Sequence, residues 1–289
     1  MAQQILVTID PYETRAALLD NGKVVELFFE NKYSEKIVGC IVKGRVANVV
    51  PGTQSAFVDV GLHKDAFLAL NGVDNLGLDE ADLKDIFKTP IQNLLKVGQE
   101  TLIQILKEPS GNKGPRSTMI CSFPGRYLVL TPTVDHIGIS RRISSEAERD
   151  RLRNIGRKVL PKGMGLIFRT ASEGLEEREL AGDLKLLLKI WQKVEAKAKK
   201  SPPRTLLHRD IPLPLKLVRD FLNDNVDRFI IDSQEEYKNI LDFCDFLSPL
   251  QRVALEVYKE PVPLFEAYGI EQEIERSLQT KIWLASGGY

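Results

Sequence analysis

Phe57 in Ser55-Ala56-Phe57-Val58-Asp59-Val60-Gly61 and Phe67 in Lys64-Asp65-Ala66-Phe67-Leu68 each place an aromatic ring on a short apolar run beside a turn carrying polar groups. Rings on an open β face bind single strands of nucleic acid by stacking, worth about 1–3 kcal/mol per base, because every base has a π-face. The same two rings would serve equally as core residues of a small barrel. Lys107 and the loop Gly111-Asn112-Lys113-Gly114 add cations and a glycine-flanked backbone able to approach a phosphate, although a lone loop of this spacing is also an ordinary hairpin end. A second group joins Ile139-Ser140-Arg141-Arg142-Ile143 to Gly163-Met164-Gly165-Leu166-Ile167-Phe168-Arg169-Thr170. Arg169 closes an apolar strand and Thr170 follows it. A guanidinium binds two oxygens of a terminal phosphate and a hydroxyl reaches a third; the competing reading is an exposed strand end with incidental charge. Asp10, Asp20 and Asp232 stand at strand ends or turns, as metal-binding carboxylates do. Their neighbours Pro11, Asn21-Gly22 and Ser233 also explain them as turn and helix-start residues. His63, His136 and His208 share no ligand spacing, and Cys40, Cys121 and Cys244 fit neither a disulfide framework nor a zinc cage.

Positioning these groups requires strands first. Ile5–Ile9, Arg15–Leu19 and Val24–Phe28 read as strands, the last two joined by Asp20-Asn21-Gly22-Lys23, a hairpin signal. Asn31 to Lys36 reads as a linker. Short strands then come close together: Gly39–Val50, Ser55–Val60, Ala66–Leu68, Glu100–Lys107 and Ser117–Cys121, with an acidic helical insert over Asp79–Phe87. Many short strands with glycine turns indicate a small barrel of the five-stranded OB type. Strands at Tyr127–Leu130 and Gly165–Arg169 flank a charged helix over Ser145–Val159, with capping-box spacing from Ser145 to Glu148. Glu173 to Lys200 is one helical pattern whose Leu180, Leu184, Leu187, Leu188 and Trp191 share a face, so Trp191 reads as packing. Ser201-Pro202-Pro203 stops it. A helix–strand–helix rhythm follows: Leu215–Leu222, Arg228–Ile231, Ser233–Phe246, Val253–Tyr258 and Pro263–Leu278. That section is too small for its own doubly wound sheet. The strands of residues 1–30 complete it, with the barrel inserted between.

The chain of 289 residues has 40 Lys/Arg and 40 Asp/Glu, 43% hydrophobic residues and a mean hydropathy of -0.17. It can bury sizeable cores, which excludes wholesale disorder. It lacks the run of about 18 uncharged apolar residues that a membrane span needs, and no secretory signal is visible, so a cytoplasmic protein is expected. The zero net charge hides a polarity. Residues 107–170 hold 13 Lys/Arg against 5 Asp/Glu, a balance of +8, and residues 220–275 hold 4 against 14, a balance of -10. A basic middle attracts phosphates within about a Debye length of ~10 Å; two solvated faces of opposite sign would show the same pattern.

Ala56-Phe57-Val58-Asp59-Val60-Gly61, Lys107-Glu108 before Gly111-Asn112-Lys113-Gly114, Gly125-Arg126-Tyr127-Leu128-Val129-Leu130, the Ile139–Ile143 and Gly163–Thr170 runs and the closing Ser286-Gly287-Gly288-Tyr289 stand in an order that resembles the ribonuclease E/G family along the whole chain. The resemblance implies an α+β and α/β multidomain fold. In it a ribonuclease-H-like subdomain (residues 1–36 and 213–280) is split by an OB-type RNA-binding domain (37–122) and an α+β sensor of the RNA 5′ monophosphate (123–212). It implies single-strand contacts at Phe57, Phe67, Lys113 and Lys107. It also implies a phosphate grip at Arg169 and Thr170, helped by the Leu128 backbone, with Arg141 and Arg142 as nearby positive charge. Family members cut RNA in a further subdomain where two aspartates hold magnesium. Nothing here matches that motif or the short cysteine pair through which subunits share zinc. Residues 281–289, reading as a strand and turn, would then open the missing catalytic subdomain.

The expectation is an RNA-handling part of a magnesium-dependent endoribonuclease of RNA processing and mRNA decay. This part would bind single-stranded RNA with a 5′ monophosphate, would hold no metal itself, and would belong to a homo-oligomeric whole protein. The rivals are a non-catalytic RNA-binding adaptor and a ribonuclease-H-type metal nuclease using Asp10, Asp20 and Asp232.

Overall fold

The computed structural model describes residues 3–32, 36–70, 89–221, 226–247, 255–283 and 286–289; the acidic helix expected over Asp79–Phe87 lies outside them. The chain forms two compact units, one of Met1–Glu35 with Ile211–Tyr289 and the other of Lys36–Asp210.

The first unit begins with strands β1 (Gln3–Ile9), β2 (Glu13–Asp20) and β3 (Lys23–Asn31). Asn21 and Gly22 take φ of 50° and 76° in the β2–β3 turn, the left-handed pair that a tight hairpin demands and that asparagine and glycine tolerate. The chain then leaves for the second unit.

That unit opens with a barrel. Strands β4 (Ile41–Val50), β5 (Ser55–Asp59), β6 (Ala66–Ala69), β7 (Glu100–Lys107) and β8 (Arg116–Thr118) run in the order β4-β5-β6-β8-β7, and β7 pairs back to β4, closing five strands into an OB-like barrel. The short helix α1 (Ile91–Leu94) puts buried Ile91 into a core shared with Val46, Ala56, Val58, Leu68, Ile103 and Ile105. The strand expected to run through Cys121 ends at Thr118, where Met119 to Ser122 turn the chain instead.

A four-stranded sheet follows, in the order β11-β12-β10-β9 from β9 (Phe123–Pro124), β10 (Leu128–Thr131), β11 (Ile137–Ile139) and β12 (Gly165–Phe168). Helices α2 (Glu146–Val159) and α3 (Glu177–Lys200) bury Leu152, Ile155, Leu180, Leu184, Leu187 and Trp191 in a common core with Leu128, Leu130, Leu166 and Phe168. Trp191 packs edge-on to Phe123, ring centroids 5.9 Å apart, which makes it core. The Ser145 hydroxyl accepts the Glu148 N–H at 3.4 Å, but the Glu148 carboxylate turns to Arg151. The reciprocal capping box is at Glu176 and Glu179, so α3 starts at Glu177 and not at Glu173. Strand β13 (Thr205–His208) pairs antiparallel with β4.

The chain then completes the first unit with α4 (Leu213–Phe221), β14 (Val226–Ile231), α5 (Gln234–Leu247), β15 (Leu255–Val257), α6 (Leu264–Ala267) and α7 (Ile270–Ser277). The sheet order is β15-β14-β1-β2-β3, with β14 parallel to both β1 and β15 and the hairpins antiparallel. Side chains alternate across a strand, so a strand covered on both faces is apolar throughout. Ile5, Val7, Phe229 and Ile231 therefore meet α4 and α5, while Leu6 and Ile230 meet Leu264, Phe265 and Ile270 on the other face. No strand forms over Lys281–Trp283; the Lys281 ammonium lies 4.5 Å from the Trp283 ring and 3.6 Å from that of Tyr289. Among the described residues no helix is long and apolar enough to cross a membrane.

Candidate nucleic-acid interface

The barrel ladders align one row of side chains. Asn48 on β4 pairs with Phe57 on β5, Phe57 with Phe67 on β6, Phe67 with Arg116 on β8, and Arg116 with Lys107 on β7. Neighbouring strands stand about 4.7–4.9 Å apart, so directly opposed side chains share a face. The neighbours Ala56, Val58, Ala66 and Leu68 are buried and fill the barrel. Phe57, 37% exposed, is thereby placed outside, and the Phe67 ring meets it edge-to-face at 5.6 Å and 60°. Of the two readings open for these phenylalanines, the outward one is what the pleat produces. Past the Lys107–Arg116 pair, Ser110 and Lys113 close a two-residue turn by mutual backbone hydrogen bonds, and the Lys64 ammonium ties that turn down through the Asn112 carbonyl at 2.6 Å. Lys64, Lys107 and Lys113 are all exposed. Sequence reasoning missed Arg116 and Asn48, because their place in the row follows from strand register and not from any local motif.

The second group is assembled from three turns of the α+β part. Arg169 follows β12; its backbone N–H donates to the Tyr127 carbonyl at 2.8 Å and its guanidinium to the Gly125 carbonyl at 2.8 Å. The Thr170 and Ser140 hydroxyls are 2.9 Å apart, and the Arg142 N–H reaches the Ser140 hydroxyl oxygen at 3.4 Å. The turn carrying Arg141 and Arg142, both exposed, is propped from beneath by the Arg149 guanidinium, which donates to the Ser140 and Ile143 carbonyls at 3.1 and 3.2 Å. The structure thus gathers Arg169, Thr170, Ser140 and the Arg142 backbone. Leu128, whose backbone was expected to help the grip, is fully buried; its N–H donates to Asp183 at 3.0 Å and its carbonyl accepts from the Gly125 N–H at 2.8 Å, bonds that shape the turn.

Asp183 is the residue the sequence reading passed over. It lies on the buried stripe of α3 between Leu180 and Leu184, 8% exposed. An acid at a core-facing helix position is a signal that periodicity alone exposes, since such charges stay buried only when satisfied. Its carboxylate accepts the N–H groups of Arg126 at 3.4 Å, Tyr127 at 2.9 Å and Leu128 at 3.0 Å. Gly125 is required opposite it: a Cβ there would come within 2.6 Å of both carboxylate oxygens. Burial pushes the Asp183 carboxyl above its ordinary value, against the pull of these amides and of the Arg169 charge.

The three remaining aspartates do not converge. Asp10 follows the last residue of β1 and accepts the Tyr12 and Glu13 N–H groups at 2.6 and 2.8 Å, which hold its carboxyl below the usual range. Asp232 accepts the Ile9 N–H at 2.9 Å and the Thr8 hydroxyl. Asp20 pairs with Gln3 at the opposite end of β1, roughly 20 Å away at about 3.3 Å per residue. Among the described residues no group of three or more His, Cys, Asp or Glu side chains could hold a metal ion. His208 packs 5.4 Å from the Phe123 ring, and burial lowers its pKa. The three cysteines are buried thiols, none of them in a disulfide.

The second unit thus carries an OB-like barrel with an outward aromatic and cationic row and a turn cluster built on Arg169 and Thr170. Residues 122–289 match the model of the Ribonuclease E/G family. Over its full length the chain is 38% identical to Ribonuclease G of Salmonella typhimurium (strain SL1344) and to Ribonuclease G of Escherichia coli (strain K12), covering 60% of each. It is 32% identical, again over its full length, to Ribonuclease E of Haemophilus influenzae, of which it covers 31%. The chain belongs to the ribonuclease E/G family, and it spans about three fifths of the length of the ribonuclease G relatives it matches.

Proposed function

We propose that this chain is the RNA-handling part of a ribonuclease E/G-type endoribonuclease of RNA processing and decay, binding single-stranded RNA in its barrel and the RNA 5′ monophosphate at Arg169 and Thr170. The observation that carries the reading is the cross-strand row of Phe57, Phe67, Arg116 and Lys107, which sets two adjacent rings next to two adjacent cations along one barrel face. Bases would stack on the rings while Lys107, Lys113 and Arg116 follow the phosphates. At the turn cluster the Arg169 guanidinium and the Thr170 hydroxyl offer donors that a phosphate satisfies and a 5′ hydroxyl does not. A pocket sized for one phosphate would bind a triphosphate poorly. The order of the first unit's sheet, three antiparallel strands continued by two parallel ones, supports a ribonuclease-H-like scaffold. Hydrolysis, with the magnesium-binding carboxylates it needs, belongs on this reading to the part of the relatives' length that the chain does not span; the whole enzyme would be a cytoplasmic homo-oligomer.

The test is a titration with two short unstructured RNAs that differ only in a 5′ monophosphate or a 5′ hydroxyl, in the presence of magnesium, with the same samples run on a denaturing gel. Tighter binding of the monophosphate without cleavage supports the reading. Equal binding leaves a general RNA binder, and cleavage places metal-binding carboxylates within these 289 residues.

A further inference from the structure

We propose that Asp183 is a positioning residue for Arg169: its buried carboxylate holds the Gly125–Leu128 turn on which Arg169 is seated, and so sets the preference for a 5′ phosphate. The inference rests on the phosphate-pocket reading above and extends it to a residue that touches no RNA.

Two charged groups grip opposite polarities of the same few peptide units. Asp183 takes the N–H groups of Arg126, Tyr127 and Leu128. Arg169 takes the carbonyls on the other side, Tyr127 through its backbone and Gly125 through its guanidinium. The turn itself is closed by the Gly125 N–H on the Leu128 carbonyl at 2.8 Å. Gly125 leaves the room that the carboxylate occupies, since any side chain there would meet both oxygens. An apolar residue at position 183 would suit the stripe of Leu180, Leu184 and Leu187 better, because burying an acid is costly unless its lone pairs are filled. What the acid supplies in return is a fixed orientation of the Gly125 and Tyr127 carbonyls. A guanidinium has donors in a fixed fork, so anchoring one nitrogen on a carbonyl aims the rest of the fork. Asp183 therefore orients Arg169 through the peptide turn that both residues grip.

The test compares the wild-type chain with Asp183→Asn, Arg169→Ala and the double variant, each against the monophosphate and hydroxyl RNAs. Asparagine keeps the shape of the acid but sets an NH2 group against amide donors. In Asp183→Asn the ratio of affinities for the two ends should fall by about tenfold, the scale of one charge-assisted hydrogen bond, with hydroxyl-ended RNA bound as in wild type. The double variant should lose no more of the ratio than Arg169→Ala alone, because the two residues act as a unit. Gly125→Ala, which displaces the carboxylate without removing it, should reproduce the loss. An unchanged ratio in Asp183→Asn, or an equal loss for both RNAs, would overturn the proposal. The second readout needs no RNA: solvent exchange of the Arg169 guanidinium protons by NMR should quicken in Asp183→Asn. If the wild type shows no end preference, the pocket reading fails by itself; unchanged exchange in the variant overturns the positioning role in either case.

Discussion

The barrel face and the proposed phosphate cluster belong to the same compact unit, yet they are built by opposite means. The face is a product of strand register: once β4 to β8 pair as they do, the ladder itself lines up Asn48, Phe57, Phe67, Arg116 and Lys107. The cluster is a product of turns. Arg169, Thr170, Ser140 and Gly125 come from three stretches of chain: the Arg169 N–H donates to the Tyr127 carbonyl, Arg149 donates to the Ser140 carbonyl, Asp183 accepts the N–H groups of the turn after Gly125, and the Thr170 hydroxyl meets that of Ser140. A register-built surface makes many weak and interchangeable contacts. A turn-built pocket concentrates its discrimination in a few donors that must be preorganised.

The sharpest break between the two is therefore expected at Arg169. Arg169→Ala should erase the preference for a 5′ monophosphate, a loss of about tenfold or more for two charge-assisted contacts, while hydroxyl-ended RNA binds as before. Competition binding with the two RNAs measures it. If Arg169→Ala weakened both RNAs equally, face and cluster would be one surface and the contrast would disappear.

Phe57→Ala should act in the complementary way, weakening RNA of either end by about 1–3 kcal/mol, the value of one stacked base. The end preference should survive. Because Phe57 is 37% exposed and meets Phe67 edge-to-face on the outside of the barrel, its removal should cost little stability, and thermal melting separates the two effects. A Phe57→Ala protein that melted far below wild type would return the ring to the core.

Lys107→Ala and Lys113→Ala should each give a smaller and more uniform loss. For single strands the slope of log K against log salt changes by about 0.7 for each phosphate neutralised, so each variant should flatten it by up to that amount, without favouring either end. The control is Lys158→Ala on α2, whose ammonium is already engaged by Glu177 at 2.8 Å and which should leave the slope as it is.

How far these regions could be read from sequence follows from the same contrast. Strand periodicity and turn residues located the barrel, and the two phenylalanines were legible as a pair, but which face they take was undecided until register set Ala56, Val58, Ala66 and Leu68 inside. Arg116 was invisible because its partners are 49 and 9 residues away in the chain, Phe67 and Lys107, and no local motif carries that pairing. In the cluster Arg169 and Thr170 were legible as a strand end, whereas the bond from the Leu128 N–H to Asp183 joins residues 55 positions apart and has no local signal. Helical spacing does place Asp183 on the apolar stripe. What it cannot supply is the turn of another segment that fills the carboxylate's lone pairs, and that is long-range information.

The smallest expected effect tests whether the cluster's frame is held by charge as its pocket is. The Glu148 carboxylate takes a two-pronged contact from Arg151, at 2.7 and 2.6 Å, and the Gly174 N–H at 2.8 Å, while Arg151 also donates to the Leu175 carbonyl at 2.9 Å. These bonds pin α2 to the segment that follows Thr170. The Arg151 guanidinium, with help from the Gly174 amide and against burial, lowers the Glu148 carboxyl from 4.5 to about 2. A carboxyl depressed on folding stabilises the protein above its unfolded value and loses that contribution as protons titrate the folded form. The advantage of wild type over Glu148→Gln should hold from neutral pH down to 4.5 and then shrink steadily toward pH 2. Melting temperatures of both proteins across that range give the difference directly, and amide exchange at Gly174 shows whether the same bond is the one that fails. A wild-type advantage that persisted unchanged to pH 2 would mean that α2 is held by the packing of Leu152 and Ile155, and the frame of the pocket would then resemble the barrel more than the pocket it supports.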